Sequence, residues 1–176
     1  MAQIKPLPAL WLLSDERNDA ALEESIAHLP QGSGFVFRHY HLEPEARRER
    51  FLQLLPLLLR AEHWVILSDS FVRAQEWGAH GVYGALGSVH RADQRWIATA
   101  HDEDEIAIAN EHGADAVMIS PVFPTRSHPG AATLGVERFH KLAALSKIPV
   151  IALGGMNQAR AKELDWPRWA AIDGLS

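Results

Sequence analysis

The sequence predicts an α/β fold, a compact (β/α)8 barrel of the TIM type that takes up residues 1–176 as a single domain. Three observations predict it. Short runs rich in β-branched and aromatic residues alternate with helical patterns along the whole chain, which argues for parallel strands joined by helical crossovers. Eight such runs favour a closed barrel over an open sheet. The last two runs, Pro149-Val-Ile-Ala-Leu-Gly-Gly155 and Ala170-Ala-Ile-Asp-Gly-Leu-Ser176, each end in glycine where a helix should begin. Glycine after a buried strand lets backbone N–H groups approach an anion, and a helix N-terminus adds positive potential. Two such corners after strands 7 and 8 form the phosphate grip of this barrel, so a phosphorylated small-molecule ligand is expected at Gly154, Gly155, Gly174 and Ser176.

The elements follow in order. Residues 9–14 read as strand 1 and 20–28 as a short helix. Residues 34–41, rich in Phe and Val, read as strand 2. Pro44 opens the next helix at the favoured first-turn position, Phe51, Leu54, Leu55 and Leu58 form one buried face, and Pro56 should kink it. Strand 3 spans 64–68 and is followed by a helix to Trp77, with Asp69 as a candidate N-cap. Residues 81–84 are a short strand 4, 85–94 a loop and 95–100 strand 5. Asp102 and Glu105 form a capping-box pattern, and Gly113 stops that helix. Residues 116–120 are strand 6, followed by a polar loop to Gly135 and a helix over 136–146. Strand 7 (150–153), a helix (158–164) and strand 8 (170–172) complete the pattern, with no eighth helix. That omission predicts apolar outer surface on strands 8 and 1, and a homo-oligomer is one way to cover it.

Composition narrows the function classes. The chain is 47% hydrophobic and 22% charged, enough for one ordinary core. A net charge of −5 gives no basic footprint for nucleic acid. The absence of cysteine excludes disulfides and thiolate chemistry. The most apolar stretch, residues 51–59, is too short for a membrane span and carries Gln53 and Pro56. The N-terminus makes a poor signal peptide, so a cytoplasmic location is the default expectation.

Three segments then carry a signature: Gly113-Ala-Asp-Ala-Val-Met-Ile-Ser-Pro-Val-Phe-Pro-Thr-Arg-Ser-His128, Leu134-Gly-Val-Glu137 and Pro149-Val-Ile-Ala-Leu-Gly-Gly-Met156. Together they resemble the thiamine phosphate synthase superfamily, which includes a thiazole tautomerase branch. Upstream, Leu12-Leu-Ser-Asp15 resembles the end of strand 1, and Phe37-Arg-His-Tyr40 falls where the family has Arg-x-Lys. Ser68-Asp69 falls at Asn-Asp, Gly78-Ala-His-Gly-Val-Tyr83 at Gly-Ala-Asp-Gly-Val-His, and Thr99-Ala-His101 at Ser-x-His. The resemblance implies ligands: a thiazole phosphate, and a pyrimidine-methyl diphosphate whose leaving group is held by Mg2+ and basic residues.

Departures from the family pattern cluster on diphosphate and metal handling. Arg38 is retained, but Tyr40 and His128 stand at the two lysine positions, and Ser68 replaces the metal-site Asn. Asp69 is kept for Mg2+, while the second metal carboxylate falls near Ser88. One carboxylate makes a poor Mg2+ site without substrate phosphates. The rim therefore reads as stripped of most cationic side chains, with Arg126 able to restore charge. The thiazole-phosphate side is better kept, through Thr125, Ser127, Gly154, Gly155, Gly174 and Ser176.

The resulting expectation is a diverged thiamine-biosynthesis enzyme that binds a phosphorylated thiazole. Its diphosphate chemistry is weakened, and Arg38, Thr99 and His101 are its catalytic candidates. His101 lies where the tautomerase branch carries its acid/base histidine and shares a strand face with Thr99. It also reads as a helix-capping residue. The alternatives are an active synthase in which Arg126, His128 and Tyr40 stand in for the missing groups, and a non-catalytic barrel that binds thiazole or thiamine phosphate. His39 and His41, of opposite parity to Arg38 and Tyr40, face away from the mouth and are not expected to bind metal. The tryptophans are expected in packing.

Overall fold

The computed structural model describes residues 6–85 and 93–175. Eight parallel strands close in sequence order, with β8 returning to pair with β1. They are β1 (Leu10–Leu13), β2 (Gly34–Phe37), β3 (Trp64–Leu67), β4 (Gly81–Tyr83), β5 (Arg95–Ala100), β6 (Ala116–Ile119), β7 (Val150–Ala152) and β8 (Trp169–Ala171). Among the described residues, six α-helices lie outside: α1 (Leu22–His28), α2 (Pro44–Arg60), α3 (Phe71–Trp77), α4 (Glu103–Glu111), α5 (Gly135–Leu145) and α6 (Gln158–Leu164). The predicted α/β barrel is the fold observed. Among the described residues no helix is long and apolar enough to cross a membrane.

Strand alternation sorts the core into two layers. Trp11, Leu13, Val36, Trp64, Ile66, Ile97, Met118 and Ile151 point inward and fill the barrel. Leu12, Phe35, Phe37, Val65, Leu67, Val117 and Ile119 point outward under the helices. The outer layer takes the predicted α2 face, with Phe51, Leu54 and Leu58 fully buried and Leu55 half-buried. Both layers are apolar because both faces of a parallel sheet are covered. Gly34 makes room for the Trp11 indole: a Cβ at this position would lie 2.1 Å from two of its ring carbons.

Several expectations are corrected. Strand 2 ends at Phe37, and His39 turns the chain with φ 42°, a value an extended strand cannot hold. The first helical segment begins earlier, as a 3-10 turn over Glu16–Ala21 capped by Asp15, before α1. Pro56 lies inside helix α2, as expected, and the helix extends to Arg60. The N-cap of α3 is Ser70, whose side chain accepts the Arg73 amide. On strands 8 and 1, Leu12 and Ala171 are buried within the chain, and only Leu10 and Trp169 are part-exposed. Ser88 and Ser176 lie outside the described residues.

Gly34→Ala forces a methyl group into the Trp11 ring and should lower unfolding stability by about 1–3 kcal/mol in urea titrations. His63 is 1% exposed and neither ring nitrogen has a hydrogen-bond partner; the backbone of Ile26 and Ser33 is nearest, out of bonding geometry. Burial pushes its pKa below the ordinary value of 6.5. The unfolded chain therefore takes up a proton near pH 6.5 that the folded chain refuses, so stability holds above that pH and falls below it. His63→Leu should remove one proton from that acid slope, about 1.4 kcal/mol per pH unit at its steepest, read from urea midpoints between pH 7 and 5.

Candidate active site

The C-terminal ends of the strands surround a cavity of about 750 Å³. Among its lining residues are Arg38, Tyr40, Thr99, His101, Thr125, Ser127, His128, Gly154, Gly155 and Gly174. These are the catalytic and substrate-binding candidates of the sequence that fall within the described residues, so the fold gathers them into one mouth. Arg126 also lines it, together with Tyr83, Asn157, Arg160 and Asp173.

One side of the mouth is a backbone corner. After β7 the chain turns through Gly154 (φ +102°) and Gly155 (φ +60°). A Cβ on Gly154 would lie 2.6 Å from Pro121 Cα, and one on Gly155 would lie 2.3 Å from the Pro124 carbonyl oxygen. The loop after β6 is therefore pressed onto the corner, bringing Thr125 and Ser127 beside it. Gly174, after β8, packs as closely, with its virtual Cβ 2.2 Å from the Met156 carbonyl oxygen. The two glycine corners thus adjoin. Among the described residues no acceptor is hydrogen-bonded to the amides of Gly154, Gly155 or Gly174. Clustered, unspent N–H groups of this kind suit an oxyanion. Arg160 folds back from α6, donating to the Gly155 carbonyl and lying 5.2 Å from the Phe123 ring.

The opposite side is built around Arg38, directly after β2. Its amide donates to Ser14 Oγ (2.8 Å), and its guanidinium pairs with Asp15 (3.4 Å) and lies 5.4 Å from the Tyr40 ring. Beneath it, buried Arg47 of α2 donates to the Arg38 carbonyl (2.7 Å), the Ser68 carbonyl (3.0 Å) and Asp69 (2.8 Å). Asp69 also accepts from Ser70 N–H (2.7 Å) and Arg73 (3.0 Å). Burial opposes ionisation of Asp69, but the Ser70 amide and the two guanidiniums outweigh it and hold its carboxyl below the usual carboxylate range.

These contacts bear on Mg2+. Both Asp69 oxygens are engaged by protein donors, and the Ser68 hydroxyl is tied to the Tyr40 hydroxyl. Among the described residues no three carboxylates or histidines gather as a metal cluster. The residues present do not fit a protein-held Mg2+, and Asp69 serves the β2–β3 junction instead.

Between the two sides lie Thr99 and His101 at the end of β5. His101 Nδ1 sits 2.8 Å from Glu105, which also accepts the His101 amide (2.6 Å). The capping box therefore closes one residue early: Asp102 caps Glu105, but Glu105 reaches back to His101. Tyr83 lies on the mouth's floor, and burial pushes its phenol up to about 12, so it is neutral at physiological pH.

The expectation of a rim stripped of cations is corrected. Arg38, Arg126 and Arg160 line the cavity, and Arg17 reaches its edge, donating to Ser127 (3.1 Å) and Asp173 (3.3 Å). Arg126 is largely exposed, 4.0 Å from Asp173. Sequence reasoning missed Arg17, Arg47, Tyr83, Asn157, Arg160 and Asp173. Tyr83 carried a signal, since it ends an alternating strand at an inward position; Arg47 and Arg160 sit in helical patterns like any surface arginine. Removing the Arg47 hub should be costly: Arg47→Met should lower stability by about 2–4 kcal/mol by denaturant titration, because it strands buried carbonyls and Asp69.

Comparison with known proteins agrees with this architecture. A family model described as thiamine monophosphate synthase matches residues 10–166. A putative thiamine-phosphate synthase 2 of Aquifex aeolicus is 36% identical over 166 residues, covering 89% of each chain. A thiamine-phosphate synthase of Chloroflexus aurantiacus is 29% identical over 148 residues, 80% of this chain and 67% of that one. Among solved structures, a thiamine phosphate pyrophosphorylase from Pyrococcus furiosus superposes with a TM-score of 0.75 at 22% identity, over 93% of this chain and 84% of that one. The matched span runs from β1, past Asp15 and Arg38, to beyond the Gly154-Gly155 corner, and this chain belongs to the thiamine monophosphate synthase family.

Proposed function

We propose that the protein is an active thiamine-phosphate synthase that joins a pyrimidine-methyl diphosphate to a thiazole phosphate. The observation that carries this reading is the arginine-lined mouth: Arg38, Arg126 and Arg160 surround the cavity whose wall is the Gly154-Gly155 and Gly174 amide corner. The reaction breaks the bond between the methylene carbon and the diphosphate oxygen, whose electron pair leaves with the diphosphate. The thiazole nitrogen lone pair then forms the new C–N bond. Such a step is limited by charge on the leaving group, and fixed guanidinium forks are suited to stabilise it. The Chloroflexus relative bears the name thiamine-phosphate synthase. In this reading the amide corner, Thr125 and Ser127 hold the thiazole phosphate, and Arg38 holds the diphosphate.

A specific observation favours a second activity. Glu105 engages His101 Nδ1, and His101 lines the cavity, an arrangement that would fix its tautomer and leave Nε2 for proton transfer. This supports tautomerisation of a carboxythiazole phosphate.

Purified protein given pyrimidine diphosphate and thiazole phosphate, with and without Mg2+, should yield thiamine phosphate. Arg38→Met should lower kcat/KM by about 10²–10³, the usual cost of one anion-stabilising donor, whereas His101→Ala should leave synthesis within a few-fold. Turnover of the carboxythiazole tautomer alone, abolished by His101→Ala, would establish the second activity instead. Binding without either turnover would leave a non-catalytic phosphate-binding barrel.

A further inference from the structure

A buried relay that synthase chemistry does not use lies behind Arg38. His39 is 1% exposed and is the residue that turns the chain out of β2. Its Nδ1 lies 2.8 Å from Ser14 Oγ, and its Nε2 lies 2.8 Å from Asp19 Oδ1. Asp19 accepts in turn from Arg50 Nε at 2.7 Å. The ring stacks on Phe37, with centroids 4.7 Å apart. Ser14 is fully buried, and the same Ser14 Oγ takes the Arg38 N–H.

With a neutral His39 ring the donor and acceptor roles follow from the partners. Ionised Asp19 can only accept, so Nε2 carries the ring proton and Nδ1 offers its lone pair. The Ser14 hydroxyl then donates to Nδ1 and receives the Arg38 amide on its free lone pair. The chain of bonds runs one way, from Arg38 N–H through Ser14 and neutral His39 to Asp19. Buried and fully satisfied networks of this kind hold one geometry. A left-handed, non-glycine residue persists only where its surroundings hold it.

We infer that His39 is a positioning residue that, through Ser14, fixes Arg38 for an anionic ligand in the barrel mouth. The inference rests on the reading of Arg38 as an anion-binding group. Neutral His39 is the competent form, and burial lowers its pKa against the pull of Asp19. The other charged or titratable groups around it are Arg50 on α2, Glu23 on α1, which pairs with Arg50, and His41 on the same turn.

The test uses inorganic pyrophosphate as probe and calorimetry on the full chain. Ser14→Ala and His39→Asn should each weaken binding about tenfold, and Ser14→Ala should expose the Arg38 amide to faster hydrogen exchange. Asparagine tolerates the left-handed turn and reaches toward Ser14 but not Asp19, so partial retention with Asn and greater loss with His39→Leu is expected. In an Arg38→Met background the Ser14 and His39 substitutions should cost nothing further, because both act through that side chain. Wild-type affinity should also fall in acid with a one-proton step that His39→Asn removes. Losses that multiply with Arg38→Met, or an unchanged Arg38 amide in Ser14→Ala, would overturn the inference while sparing the site. Wild-type protein that binds no pyrophosphate would overturn the reading of the mouth and the inference with it.

Discussion

The Trp11 indole inside the barrel is the constraint from which the rest follows. Strands of three to six residues leave room for only a few layers of inward side chains. Trp11 and Trp64 meet edge to face with centroids 6.1 Å apart and fill the lower barrel. Gly34, Ala116 and Ala170 are small at inward positions for the same reason. Above them Leu13, Val36, Ile66, Ile97, Met118 and Ile151 form a dry floor. Polar groups at the mouth stand on that floor, where water is scarce below and charge interactions are less screened.

On this floor the charges are arranged by a buried arginine. Arg47 gathers the carbonyls that end β2 and β3 and the carboxylate of Asp69. It lies under aromatic rings, 5.7 Å from Phe37 and 5.6 Å from Trp77. A buried guanidinium is tolerated when its donors are taken, and here the backbone takes two of them. The consequence for chemistry is direct. The one metal-type carboxylate kept from the family pattern is spent on internal cations, so anion handling at this end falls to guanidiniums.

Much of the fold was legible because each strand is buried on both faces and therefore reads as an uninterrupted apolar run. The glycine corners were legible for a related reason, since close backbone approach leaves no other residue available. The end of strand 2 was not legible. Phe37-Arg-His-Tyr40 keeps the composition of a strand, and only tertiary bonds from Ser14 and Asp19 turn it at His39. Asp69 misled in the opposite way: its local sequence permits a cap or a metal ligand, and the deciding partner, Arg47, lies 22 residues away. Arg17 and Arg160 were invisible as site residues because their roles depend on which loops the barrel closure brings together.

Position-by-position comparison also overstated the loss of charge. Tyr40 and His128 do remove lysines from two places, and read along the chain the mouth looks depleted. In space, Arg126 and Arg160 line the same cavity as Arg38, while Arg17 bridges its edge to Ser127 and Asp173. Cationic side chains are supplied by different elements around the mouth. The exchange is also one of kind, because an ammonium is a mobile point charge whereas a guanidinium is a planar fork that stays charged at all relevant pH. A mouth built from forks needs its donors aimed, and the buried partners of Arg38 and the folded-back pose of Arg160 supply that aim. Electrostatic preorganisation here is thus carried by how arginines are held, and the identity of a residue at one aligned position says little about the charge that a bound anion would meet.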